Sequence, residues 1–156
     1  VGTGSVGETK AVNVDLVETF NWLLGLRVRH MDFFQERGIE KNDSGETKKL
    51  KFVVVEGMNP KGEKILVIWR KIRDLSENDP DKIKAQREQA NRELEEFFKK
   101  QQYNTLDSEF DVIYVNGDNN LMNIPISPEK EELEPRYKVR LIEEEFKRLM
   151  FDVEDV

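Results

Sequence analysis

The side chains with the widest chemical range are scarce in this sequence of 156 residues, which has one histidine, His30, and no cysteine. A zinc site needs several nitrogen or sulfur ligands at fixed spacing, so His30 without a second histidine or any thiolate reads as a structural or surface group. Cysteine nucleophiles and disulfides are excluded by the same composition. Carboxylates, amides and bases remain. Asn116-Gly117-Asp118-Asn119-Asn120 follows an apolar run, the place where open α/β sheets hold a cation or a ribose. The same residue types make a tight turn unaided, and the turn is the expectation. Asp32 and Glu56 lie near the ends of expected strands and raise the question of metal-assisted phosphodiester cleavage. That chemistry wants an acid on one core strand and Glu-x-Lys on the next, and Ile65-Leu66-Val67-Ile68-Trp69 carries no acid, so the metal site is incomplete. Arg136, Lys138, Arg140, Lys147 and Arg148 place five basic residues within 13 positions of an otherwise acidic chain. They suit DNA phosphates or an acidic face of a neighbouring subunit. Glu143, Glu144 and Glu145 lie among them and offer intrahelical salt bridges instead, which is the expected use. Trp22 and Trp69 are expected in the core, with base stacking as the lesser alternative.

The elements that position these groups follow from apolar spacing and punctuation. Val12 and Val14 alternate with polar neighbours as a short strand would, and Asp15 stands at a helix N-cap with Glu18 as its capping-box partner. The helix runs over residues 16–24, with Leu16, Val17, Phe20, Leu23 and Leu24 as its stripe and Gly25 as its left-handed stop. Residues 26–34 read as a strand, and residues 35–49 as a charged surface loop. Residues 52–55 and 65–69 are unbroken apolar runs around Asn59-Pro60-Lys61-Gly62, a hairpin whose strands are covered on both faces and therefore central. Asp79-Pro80 opens a helix reaching about Tyr103, with Ile83, Ala90, Leu94, Phe97 and Phe98 buried. Residues 110–115 form a further strand, parallel to 65–69 by the rule for strand–helix–strand crossovers. Residues 119–136 read as an extended loop, and 139–150 as a last helix burying Leu141, Ile142, Phe146 and Leu149. The expected fold is α/β, a mixed central sheet of about four or five strands flanked by helices in the order β-α-β-β-β-α-β-α. Its helix, three strands, helix, strand core is also that of a degenerate restriction-endonuclease-like fold.

The length implies one domain over residues 1–156, with 1–8 flexible and the whole a C-terminal piece of something longer. The formal charge of -7, from 32 acidic and 25 basic side chains, argues against a phosphate grip across the whole surface. The longest apolar runs fall far short of the roughly 20 residues of a membrane-spanning helix. With no cysteine and no signal-peptide pattern, the expected location is the cytoplasm.

Four blocks carry a resemblance. They are Val14-Asp15-Leu16-Val17-Glu18-Thr19-Phe20-Asn21-Trp22-Leu23-Leu24-Gly25-Leu26, Val67-Ile68-Trp69-Arg70, Val112-Ile113-Tyr114-Val115-Asn116-Gly117-Asp118 and Phe146-Lys147-Arg148-Leu149-Met150-Phe151. In that order, over nearly the whole chain, they resemble the C-terminal region of type III-like (Mod-type) adenine-specific DNA methyltransferases. The resemblance implies a parent that transfers methyl from S-adenosylmethionine to adenine N6 within a restriction–modification system, with DNA and a second methyltransferase or restriction subunit as partners. The Asp-Pro-Pro-Tyr-type motif for the flipped adenine and the Phe-x-Gly-x-Gly-type cofactor loop are both missing here. Gly2-Thr3-Gly4 is no substitute, having neither a strand before it nor a helix after it. The resemblance therefore implies an accessory domain with no catalytic, cofactor or metal residue of its own. The alternative is an independent nuclease-type enzyme.

Overall fold

The structure, a computed structural model, describes residues 12–35, 50–71, 77–126 and 136–154. The N-terminal segment 1–8 and most of the 35–49 loop lie outside them. Helix α1 (Val14–Leu24) starts earlier than the capping-box spacing implies. Asn13 is the N-cap, its side-chain oxygen accepting the Leu16 N–H at 3.2 Å, so Asp15 falls in the first turn and no Asp15–Glu18 capping box forms. Because Asn13 takes the cap, Val14 is helical, and among the described residues no strand precedes α1. Gly25 ends the helix as its sequence implies, at φ 65° with its N–H returned to the last turn.

Strands β1 (Arg27–Gln35), β2 (Leu50–Met58) and β3 (Lys64–Arg70) form an antiparallel meander. The β2–β3 turn is held by Asn59, whose carbonyl accepts the Gly62 N–H at 2.9 Å and whose side chain accepts from Lys61 and Glu63, with Gly62 at φ 85°. Helix α2 (Pro80–Gln101), capped by Asp79, returns the chain to β4 (Val112–Val115), which lies parallel to β3. The strand starts two residues later than its apolar run suggests. Phe110 is spent packing against α2, and the Asp111 N–H bonds the Lys64 carbonyl at the edge of β3.

Two expectations for the C-terminal third are corrected. Residues 119–136 hold β5 (Pro125–Ile126), paired antiparallel with β6 (Arg136–Tyr137). Residues 139–141 are a strand, β7 (Val139–Leu141), parallel to β4, and α3 (Ile142–Glu154) begins directly after it. Helical spacing and a β-rich start overlap at this point. The unpaired edge of β4 decides it, because the Ile113 N–H reaches the Lys138 carbonyl at 2.8 Å.

The sheet order β1-β2-β3-β4-β7 puts β3 at the centre, where residues Ile65 to Arg70 are all buried. Alternation along the strands sorts the core into two layers. Phe52, Val54, Leu66, Ile68, Ile113 and Val115 face α2. Val53, Val55, Ile65, Val67, Trp69, Val112 and Tyr114 face α1 and α3. Among the described residues no helix is long and apolar enough to cross a membrane.

Val67 has no solvent exposure on the middle strand. Val67→Asp places an uncompensated carboxylate between β3 and the helices and should destabilise by several kcal/mol. Thermal melting checks this, and a cooperative transition near the wild-type temperature would contradict the packing described.

Candidate functional site

Phe20 sits in the middle of α1, has no exposed surface, and touches three aromatic rings on three other elements. Its centroid is 5.9 Å from Trp69 and 5.4 Å from Tyr114, both edge-on, and 5.6 Å from Phe146, stacked. The node therefore ties α1 to β3, β4 and α3. Trp69 is core as expected, but Trp22 is 74% exposed. Two residues on from Phe20 is about 200° around a helix, so Trp22 points away from the layer that Phe20 enters. Two buried polar atoms beside this layer have no partner among the described residues, the Trp69 indole N–H and the Asn21 side-chain oxygen.

Arg70, at the end of the central strand, is only 3% exposed and is held by neutral oxygens. Its Nη1 donates to the Ala90 carbonyl at 3.1 Å and to Asn91 Oδ1 at 2.9 Å, both on α2. Its Nε donates to the Asn116 carbonyl at 3.0 Å and its Nη2 to the Asp118 carbonyl at 2.8 Å. The Asn116 side chain in turn bonds the Arg70 backbone on both sides, accepting from its N–H and donating to its carbonyl, each at 2.9 Å. Burial lowers the Arg70 pKa from its ordinary value, while Glu143, Asp118 and Glu93 act in the opposite direction. The Asn116-Gly117-Asp118 cluster is thus a turn built around a buried guanidinium. Gly117 takes φ 82°, and its N–H donates to both Glu143 carboxylate oxygens at 3.1 and 3.0 Å, joining the turn to the start of α3.

The basic series divides. Arg136 donates to Glu145 at 2.7 Å and Arg148 pairs with the other oxygen of the same carboxylate, which is 4% exposed. Burial alone would raise the Glu145 pKa, but Arg148 and Arg136 together hold it below its ordinary value. Lys138 is buried, with its ammonium on the Asp107 carbonyl. Arg140 donates to the Tyr137 carbonyl at 2.8 Å and bonds the Tyr114 hydroxyl, whose pKa burial and Glu145 push up. Lys147 is exposed. Three of the five, Arg136, Arg140 and Arg148, gather around the buried Glu145–Tyr114 pair rather than lining one outer face.

His30 and Glu56 are cross-strand partners, with Asp32 two residues along the same face of β1. Tyr103 lies close enough for burial, with Glu56 and Asp32 behind it, to push its pKa up to about 12. Among the described residues no group of three or more His, Asp or Glu side chains could hold a metal ion.

Apolar spacing marks Phe20 and Phe146 as core, but nothing local marks them as one contact. The Arg70 clamp goes unnoticed in sequence because an arginine closing an apolar strand looks like a solvent-facing end. No protein family, curated protein or solved structure matches the chain in comparisons with known proteins.

Two outcomes follow. Arg70→Met would take the guanidinium's hydrogen bonds from Asn91 Oδ1 and from the Asn116 and Asp118 carbonyls and should destabilise by about 3 kcal/mol or more, measured by denaturant unfolding. Glu145→Gln should lose about 1 kcal/mol at neutral pH, since its arginine partners are partly exposed. A carboxyl with a depressed folded pKa stabilises above its unfolded value and loses that contribution as pH falls through the folded one. The gap in melting temperature between wild type and Glu145→Gln should therefore close as pH drops below 4.5, the ordinary carboxyl value. A gap that stays constant from neutral pH to pH 3 would contradict the pairing.

Proposed function

We propose that this chain is a non-catalytic C-terminal accessory domain of a site-specific adenine-N6 DNA methyltransferase of a restriction–modification system, and that it serves assembly of the parent enzyme. The observation that carries the reading is the aromatic node. Phe20, Trp69, Tyr114 and Phe146 come one from each of the four sequence blocks that resemble the Mod-type tail, and all four rings meet at Phe20. The second and third blocks meet again where Arg70 bonds Asn116 and Asp118. Blocks that converge on packing and on a saturated hydrogen-bond clamp fit a scaffold better than a reaction centre. S-adenosylmethionine and the target adenine then belong to the parent's own motifs, and DNA is bound through the parent.

The order α1-β1-β2-β3-α2-β4, with β4 parallel to β3, supports a degenerate restriction-endonuclease-like core. A working nuclease of that type would need a Glu-x-Lys on the strand next to Glu56, and β3 carries no acid between Lys64 and Arg70. Use of Arg136, Lys138, Arg140, Lys147 and Arg148 on DNA phosphates would have to compete with the intramolecular partners of four of them. Lys147 is the residue of the series best placed for an outside contact.

The test is made on the parent enzyme and on the chain alone. The isolated chain should show no S-adenosylmethionine binding by calorimetry. Removing it from the parent should abolish plasmid methylation while the catalytic part still binds cofactor. Magnesium-dependent DNA cleavage by the chain, or full methylation by the truncated parent, would sink the proposal. Within the parent, changing Arg140, Lys147 and Arg148 together to Ala should leave site preference unchanged, and should flatten the salt dependence of DNA binding by no more than about one phosphate contact. A drop of about three would identify the last helix as a DNA contact.

A further inference from the structure

Helices α1 and α3 cover the same face of the sheet and run parallel. α1 ends where β3 begins, because Gly25 hands the chain to β1, whose Arg27 lies opposite Met58 and, beyond it, Lys64. α3 begins where β3 ends, because β7 closes at Leu141 beside Val115, which lies beside Ile68. The stack of Phe20 on Phe146 sets the two helices level at that pair. On α1, Val17 and Leu24 lie about 40–60° round from Phe20 on the sheet side, and Leu16 and Leu23 lie about as far round on the outward side. On α3, Ile142 and Leu149 turn from Phe146 toward the sheet, and Met150 turns outward by about 40°. Leu16, Leu23 and Met150 therefore floor an outer furrow between the helices, and Trp22 and Phe151 stand further out, one on each helix. Leu16, Met150 and Phe151 are 45%, 42% and 57% exposed.

We propose that this furrow seats an amphipathic α-helix from the catalytic part of the parent, laid antiparallel to α1 and α3. The charges select both partner and direction. Each helix carries acid in its first turn, Asp15 on α1 and Glu143 and Glu144 on α3, and neither has a base in its last turn. Parallel helices gather their positive dipole ends at one end of the furrow and their negative ends at the other. Acids answer the first, and no base on α1 or α3 answers the second. A third helix running the other way brings its own positive end beside the two negative ones. Its last turn then lies over Asp15 and Glu143, where Lys or Arg complements those acids and the helix's own dipole together. Lys147, exposed and about 100° round from Phe146, flanks the middle of the furrow and calls for one acid there. The partner is thus a helix with apolar anchors at i, i+3, i+4 and i+7 toward Leu16, Leu23 and Met150, an acid midway and bases in its last turn. A nucleic-acid strand is repelled by the same carboxylates. A second copy of this chain does not supply the helix either, because α2, the helix with Lys99 and Lys100 in its last turn, spends its apolar stripe on its own sheet.

The seat rests on the assembly role proposed above, and side-chain oxidation by hydroxyl radicals, read by mass spectrometry, tests the two apart. In the 156-residue chain alone, Trp22, Met150 and Phe151 should label readily, and equally at about 1 and about 100 µM. In the parent enzyme they should lose most of that labelling, while Met122, which is 66% exposed and lies on neither helix, stays labelled in both. W22E combined with M150E should weaken docking in the parent by about tenfold or more, so that Phe151 labels as it does in the isolated chain. D15K should raise Phe151 labelling part of the way. Asp15, Trp22 and Met150 are exposed, so the isolated variants should keep the wild-type circular dichroism. Equal labelling of Trp22 and Met150 in parent and isolated chain would overturn the seat, and would leave the assembly role standing if removal of the chain still abolishes methylation. Full methylation by the truncated parent, with the furrow protected in the intact one, would overturn the assembly role and keep the seat. Protection that grows with concentration in the isolated chain would make the occupant a second copy and overturn the proposal, and D15K without effect would overturn the basic partner.

Discussion

The contact on which the molecule depends is the meeting of Phe20 with Trp69, Tyr114 and Phe146. The α1 face of the sheet must be covered by two helices from opposite ends of the sequence, and neither buries its apolar stripe without the other. A fully buried phenyl ring placed between them, edge-on to two sheet rings and stacked on one helix ring, satisfies all four surfaces together. Each such pair is worth about 0.5–1.5 kcal/mol beyond area burial, and close packing means that no neighbour can relax into the space if the ring is lost. Both α1 and α3 are set at this point, and so is the start of β1, which follows α1 through the Gly25 turn.

The Arg70 clamp complements the node at the end of the same strand. A guanidinium keeps its charge when buried, so it must be met by acceptors, and the chain supplies four oxygens from α2 and from the turn after β4. Asn116 closes the arrangement by bonding the Arg70 backbone in both directions. Through Gly117 the same turn holds Glu143, which fixes where α3 begins. The result is one continuous polar linkage from α2 through β3 and β4 to α3. Its donors and acceptors are used internally, which suits a scaffold.

Arg136, Arg140 and Arg148 are drawn in around Glu145 and Tyr114, while several large apolar side chains, Trp22 and Phe33 among them, are exposed. Among the described residues no strand pairs with the outer edge of β1, and the indole of Trp22 is exposed about 200° round α1 from Phe20. An acidic chain with apolar outer features associates through shape and burial rather than through a general field, which agrees with an assembly role better than with a phosphate-binding one.

The sequence by itself determined the two-sided burial of β3, the β2–β3 turn, the long capped α2, the parallel placement of β4 and the Gly25 stop. Each depends on residues close together in the chain: an unbroken apolar run, a Pro-Gly turn, an Asp-Pro start. Tertiary structure decided whatever depended on a partner far away in sequence. Residues 139–141 became a strand because the edge of β4 was open, although Val139 and Leu141 also fit a helical stripe. Phe20 went inward against Trp69, Tyr114 and Phe146, which leaves Trp22, about 200° further round α1, outside, and Asn13 displaced Asp15 as the cap by a shift that apolar spacing cannot resolve. Arg148 pairs with Glu145 one turn away on α3, the intrahelical salt bridge its spacing implies. Arg136 joins the same buried carboxylate because β6 and α3 fold back on each other, a proximity that helical spacing does not encode.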